Sequence, residues 1–226
     1  MLNIKLKNLI FGANLIAMCL FLSQINNWFP YLKKLKMFLV FSNYWVFWHF
    51  PLIMIGFLFN FKKTLFFLFF YILLDCFFYS LPAYSNQNYF LIIMKNLSQE
   101  NYFYLGMWFY GSFLPILSYA IQPLLKHTSY PLIIFSFLLI ICQSFFRTIN
   151  GYLYYLDNIK NLLIHKDNSF YQNLYFYIKD SNFKLFFTLY IFNLIPIITS
   201  HILNMILFIF FKKAFFRVHN IINTHL

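Results

Sequence analysis

The run Leu185–Phe211, LFFTLYIFNLIPIITSHILNMILFIFF, holds 27 residues without one Asp, Glu, Lys or Arg. About 20 predominantly apolar residues suffice to carry a helix across the hydrocarbon core of a bilayer. This stretch therefore reads as a membrane span, closed by Lys212, Lys213 and Arg217. Working outward, the same pattern recurs along the chain and predicts spans over roughly 9–24, 37–61, 64–81, 102–125, 130–156 and 185–211. The expectation is an all-α membrane protein: a six-transmembrane-helix bundle in which 1–226 forms one integral membrane domain. Composition agrees. The 226 residues are 62% hydrophobic, 25% aromatic and 10% charged, whereas soluble domains are roughly 45–50% apolar and about 25% charged. Six spans leave no room for a large aqueous domain.

The borders of the runs carry the punctuation. The first follows Lys5 and Lys7 and lacks a small-x-small cleavage pattern, so it reads as an uncleaved first helix and not as a leader. The second contains Pro51 and is closed by Lys62 and Lys63; the third stops at Pro82, which does not continue a helix easily. Polar residues over 83–101 read as a loop, with a short interfacial helix near 89–96. The fourth run contains Pro115 and is followed by a tight turn at Lys126 and His127, and the fifth is interrupted by Arg147 and Asn150. Residues 157–183 form the sizeable aqueous segment. Six spans place Lys5, Lys7, Lys62, Lys63, Lys126, Lys212, Lys213 and Arg217 on the side of the termini, and eight further lysines on the other. Positive charge alone thus ties. The loop acids all lie opposite the termini, which favours a cell membrane, multi-pass topology with both ends cytoplasmic.

Several function classes fall away. The net charge of +12 suggests a phosphate-binding surface, but its lysines and Arg217 flank apolar runs, where they anchor helices in the headgroup layer; no nucleic acid is expected. Cys19, Cys76 and Cys142 sit in apolar runs without CxxC spacing, so no disulfide or metal site is implied. Phosphate loops, HExxH and GxSxG are missing, and five acids are too few for a carboxylate pair or metal cage. The chain reads as no enzyme and has no ATPase of its own. Abundant Phe, Ile, Lys, Asn and Tyr with only 5 Gly and 7 Pro point to an AT-rich genome, bacterial or organellar.

Charge within a span is costly and faces a cavity or a partner, which singles out His49, Asp75 and Arg147. Asp75 and Arg147 have two readings: a salt bridge that pins two helices, or polar contacts to a substrate. His49, between Trp48 and Phe50, reads first as an interface histidine. Gln122, Asn150 and Asn193 read as hydrogen-bonding glue between helices. Trp45, Trp48, Tyr84, Trp108, Tyr110 and Tyr155 lie near helix ends opposite the termini, as an interfacial belt or as an aromatic box for a flat or cationic ring. Only five alanines occur, and two of them form Ala13-x-x-x-Ala17 in the first run. That smooth strip suits either an internal groove or close approach by another helix.

Taken in order, these features resemble the membrane-embedded substrate-binding subunits (S components) of energy-coupling factor vitamin transporters, most nearly the thiamine-specific family. The residues that carry the resemblance are the Ala13/Ala17 strip, Pro51 before the basic Lys62-Lys63 turn, Phe109-Tyr110 ahead of Pro115, Phe145-Phe146-Arg147-Thr148-Ile149-Asn150-Gly151 against FFHxxxG, and Asn193. The resemblance implies a six-helix bundle of the S-component type that binds a small-molecule vitamin within membrane lipid and needs no cofactor. It implies Tyr110, Arg147, Asn193, Tyr155, Tyr84 and Trp45 as substrate-binding residues. Ala13 and Ala17 would dock a transmembrane coupling subunit that works with two ATPase subunits, and the loop between the first two helices would enclose the ligand. The resemblance implies thiamine or a related small vitamin as the ligand; Phe109 and Arg147 stand where the thiamine pattern has its acid and histidine, which leaves an anionic or carboxylate-bearing vitamin open as well. The alternative expectation is a structural subunit of a larger complex, for example an organellar respiratory one, with no ligand of its own.

Overall fold

The computed structural model describes residues 4–28, 46, 48–80, 106, 108–154 and 169–224. Among them the chain is helical and contains no strand. The helices are α1 (Ile4–Trp28), α2 (Phe50–Leu58), α3 (Phe61–Ser80), α4 (Leu114–Leu117), α5 (Pro131–Tyr154), α6 (Ser169–Ile178) and α7 (Asn182–Thr224). A π turn over Phe109–Phe113 leads into α4, and a 3-10 helix over Ser118–Leu125 leaves it.

Three helices are long and apolar enough to cross a membrane among the described residues: Leu6–Ser23 in α1, Pro131–Leu153 in α5 and Asn182–Ile221 in α7. Between 28% and 39% of each stretch is buried inside the protein. The remainder turns side chains such as Ile133, Phe137, Phe187 and Phe210 outward. Apolar exposure on this scale is foreign to soluble monomers and is what a lipid-facing surface requires. At 43 residues, α7 is about 65 Å long, twice the hydrocarbon thickness of about 30 Å. One or both of its ends therefore stand clear of the apolar layer.

The centre is α2, in which every residue from Phe50 to Gly56 is buried. A helix that is apolar all round belongs inside other helices, and α1, α3, α7 and the 3-10 helix surround it. Leu15, Ile16, Leu52, Ile53, Met54, Leu68, Tyr71, Ile116, Phe135 and Phe208 make the core. Contact is closest at glycine: a Cβ on Gly12 would overlap the Phe67 ring, and one on Gly56 the Gln122 amide.

Local chemistry sets the boundaries and corrects one expectation. The second apolar run does not form a single helix over 37–61: Val46, Trp48 and His49 are non-helical and α2 begins at Phe50. Pro51 is the cause. In the first turn its missing N–H would have no intrahelical partner in any case, so this proline starts a helix instead of sitting within one. At the other end Phe59 is extended, and the Asn60 side chain accepts from the Lys63 N–H at 3.1 Å, the N-cap bond that starts α3. The described part of the fourth run, 108–125, is helical but irregular. Pro115 and Pro123 remove two backbone donors, and the chain responds with the π turn and an eight-residue 3-10 stretch. Such departures from α geometry cluster where helices carry function.

Candidate functional site

One group of polar side chains meets at the start of α2. Nine residues from four segments line one recess: Val46 and His49 before α2, Tyr119 on the 3-10 helix, Gln143 and Arg147 on α5, and Ile197, Ser200, His201 and Asn204 on α7. Helical spacing explains the grouping. Gln143 and Arg147 are four apart on one face of α5, as are Ser200 and Asn204 on α7.

Non-helical residues before α2 would leave backbone groups unpaired inside the bundle, and α7 supplies the partners. The Val46 N–H donates to Ser200 Oγ at 3.1 Å. The Asn204 amide donates to the Val46 carbonyl and, at 2.9 Å, to the Ser200 carbonyl. Cys19 Sγ donates to the Trp48 carbonyl at 2.7 Å. His49 Nδ1 lies 3.2 Å from the Tyr119 hydroxyl, with its ring edge-on to Trp48, Tyr71 and Tyr119. Gln143 donates to the Pro115 carbonyl at 3.0 Å.

Other polar atoms of the recess have no partner. Arg147 Nε, both ring nitrogens of His201 and Asn204 Oδ1 are buried without a hydrogen bond, His201 being 5% and Asn204 1% exposed. Each buried unsatisfied polar atom costs about 1–3 kcal/mol. Asp75 does not answer Arg147: its carboxylate accepts from Tyr71, one turn back on α3, at 3.4 Å. No ion pair forms among the described residues of the bundle interior. The free space in the recess is about 10 Å³, enough for about one water.

Of the residues singled out in the sequence, His49 and Arg147 line the recess. Asn193 is buried below it and donates to Thr148 Oγ1 at 3.3 Å. Tyr110 is half-buried on the π turn, and neither it nor Asn193 is among the residues that line this recess. The adjacent Gly111 faces Asn150, whose Nδ2 would lie 2.7 Å from a Cβ. Trp45, Tyr84 and Tyr155 lie outside the described residues. Ala13 and Ala17 are both exposed on the outer face of α1, not in an internal groove. Tyr119, Gln143, Ser200, His201 and Asn204 escaped the sequence reading. The signal available for them was helical spacing: Gln143 one turn before Arg147, and Ser200, His201 and Asn204 within one turn of the uncharged middle of α7.

No protein-family profile, curated protein or solved structure matches this chain.

Proposed function

We propose that this chain is the solute-binding subunit of an energy-coupling factor-type uptake transporter, a six-crossing bundle in the cell membrane whose solute is a small vitamin bearing a carboxylate or another anionic group. The observation that carries the reading is Arg147. It reaches a recess between α5 and α7 with its Nε unpartnered and no acid among the described residues that line it, and ionisable groups at such depth mark solute pathways. His201 and Asn204 offer further unpartnered nitrogen and oxygen atoms in the same recess. A guest larger than water needs Val46–His49 to withdraw from Ser200 and Asn204, which makes that segment the gate of the site. The chain would draw its energy from separate ATPase subunits through the exposed Ala13/Ala17 strip.

The test is purification in detergent without added solute, followed by denaturing extraction and mass spectrometry. An anionic small molecule should accompany the wild type in near-stoichiometric amount and fall at least tenfold in Arg147→Gln. Replacing Ala13 and Ala17 together by Leu should abolish uptake in cells while leaving that molecule bound. A wild type that yields no such molecule and shows no saturable binding overturns the proposal.

One observation favours a second reading, a structural subunit without a ligand: the free volume of the recess is only about 10 Å³. That reading predicts the same extract from wild type and Arg147→Gln, and co-purification with a fixed set of partner membrane proteins.

A further inference from the structure

A roomier cavity than the Arg147 recess lies at the end of the bundle where α1 begins. Asn8 and Leu9 of α1, Phe59 before α3, and Lys62, Lys63, Phe66 and Phe67 of α3 line an open cavity of about 210 Å³. α2, nine residues or about 14 Å long, separates it from the Arg147 recess.

This end is strongly basic. Lys62 and Lys63 are exposed at the cavity. Behind them Lys126 Nζ donates to the Phe59 carbonyl at 2.6 Å. His219 of α7 stands edge-on to Phe59 with ring centroids 5.6 Å apart, within the fields of Lys126 and Lys63. Among the five acids of the chain, the nearest in sequence to Lys63 is Asp75, twelve residues and about 18 Å further along α3. The cavity floor is oily: Phe59 and Phe67 are buried, while Leu9 and Phe66 continue outward as exposed apolar surface. From Phe66 an exposed stripe runs along α3 through Phe69, Phe70 and Leu73, at the spacing of one helix face.

We propose that this cavity holds the headgroup of an anionic phospholipid, with its phosphate on Lys62 and Lys63 and its acyl chains along Leu9 and the Phe66–Leu73 stripe. Charge complementarity selects the occupant. A zwitterionic lipid brings its own ammonium to a site already crowded with positive charge, whereas a phosphatidylglycerol or cardiolipin phosphate meets two lysines and, among the described residues lining the cavity, no competing acid. The cavity accepts a phosphate and glycerol but not the chains, and the oily stripe leads away from the lysines in the direction that chains must take. Basic clusters at the end of a span hold anionic headgroups by this combination of charge and depth.

The experiment reconstitutes the full chain in nanodiscs containing equal parts phosphatidylglycerol and phosphatidylcholine. The complex is then released into detergent and the retained lipid quantified by native mass spectrometry. Phosphatidylglycerol should be enriched over phosphatidylcholine, and Lys62→Gln with Lys63→Gln should weaken that preference by roughly thirtyfold, about 1 kcal/mol being associated with each lysine. Lys62→Arg with Lys63→Arg should retain it. Millimolar inorganic phosphate or glycerol phosphate should not displace the lipid, because neither has chains to place on the stripe. Equal retention of the two lipids by the wild type overturns the proposal even if the Gln variant fails to fold. So does an unchanged preference in the folded Gln variant, or displacement by free phosphate.

Discussion

Asn204 and Val46 stand 158 positions apart in the chain, and the Asn204 amide donates to the Val46 carbonyl. With Ser200 accepting from the N–H of the same residue, α7 satisfies both backbone groups of Val46 at the point where the chain enters α2. Asn204→Leu removes one of these bonds and leaves a carbonyl unpaired in an apolar setting, at a cost of about 1–3 kcal/mol. Amide exchange over Val46–Phe50 should accelerate roughly 5- to 150-fold while exchange in the middle of α5 stays unchanged, as read by hydrogen–deuterium mass spectrometry in detergent. Uniform acceleration across the protein would show that Asn204 supports the whole bundle and not this segment.

Gly56 makes a separate case. It lies in the buried helix α2, and a Cβ there would overlap the Gln122 side chain, whose amide nitrogen and oxygen are both buried without a partner. Gly56→Ala should destabilise the protein by about 1–3 kcal/mol, the usual cost of overpacking. Gln122→Ala removes the obstructing group, so the double variant should recover most of that loss. A thermal or denaturant series on the four proteins gives the coupling, and strict additivity would place Gln122 elsewhere.

The apolar runs made the helices legible, because lipid-facing and core-facing residues are alike and continuous runs follow. They could not give the start of α2. Pro51 reads as an interruption when it is assumed to be interior, and as a favourable first-turn residue only once His49 is known to precede the helix. They equally could not give the π and 3-10 geometry around Pro115 and Pro123, which depends on where the released carbonyls find donors, such as Gln143 at Pro115. The recess was half legible. Arg147 stands out against a hydrocarbon background, but Ser200 and Asn204 acquire meaning only through Val46, a contact that no local pattern encodes. Helix phase brings Asn193 to Thr148, the neighbour of Arg147 on α5, and places Tyr110 on the π turn.

The same phase argument bears on Asp75. Its carboxylate is bonded by Tyr71 on its own helix at 3.4 Å, and no ion pair links it with Arg147 among the described residues. Asp75→Asn keeps the size and the acceptor, so stability should change by less than about 1 kcal/mol, and its coupling to Arg147→Gln should be within about 0.5 kcal/mol, as for independent sites. A coupling of several kcal/mol in a double-mutant cycle, the signature of a broken buried pair, would mean that the two charges meet.

Lys126 offers a pH test outside the membrane-spanning segments. It lies in the turn between the 3-10 helix and α5, half-buried, with its Nζ on the Phe59 carbonyl at 2.6 Å. Burial holds its pKa below the usual 10.5, because removing the ammonium from water penalises the charged form. The folded protein therefore releases this proton at a lower pH than the unfolded chain does. Between the depressed value and 10.5 the unfolded state binds more protons, so the Lys126 contribution to stability rises with pH across that window and is flat below it. The neutral amine still donates to Phe59, so the hydrogen bond survives the titration. Measured against Lys126→Met, wild-type stability should gain as pH climbs towards 10.5 and show a constant difference near neutrality. A difference that shrinks as pH rises would mean that the ammonium is stabilised where it sits, by a negative group facing the Phe59 end of α2.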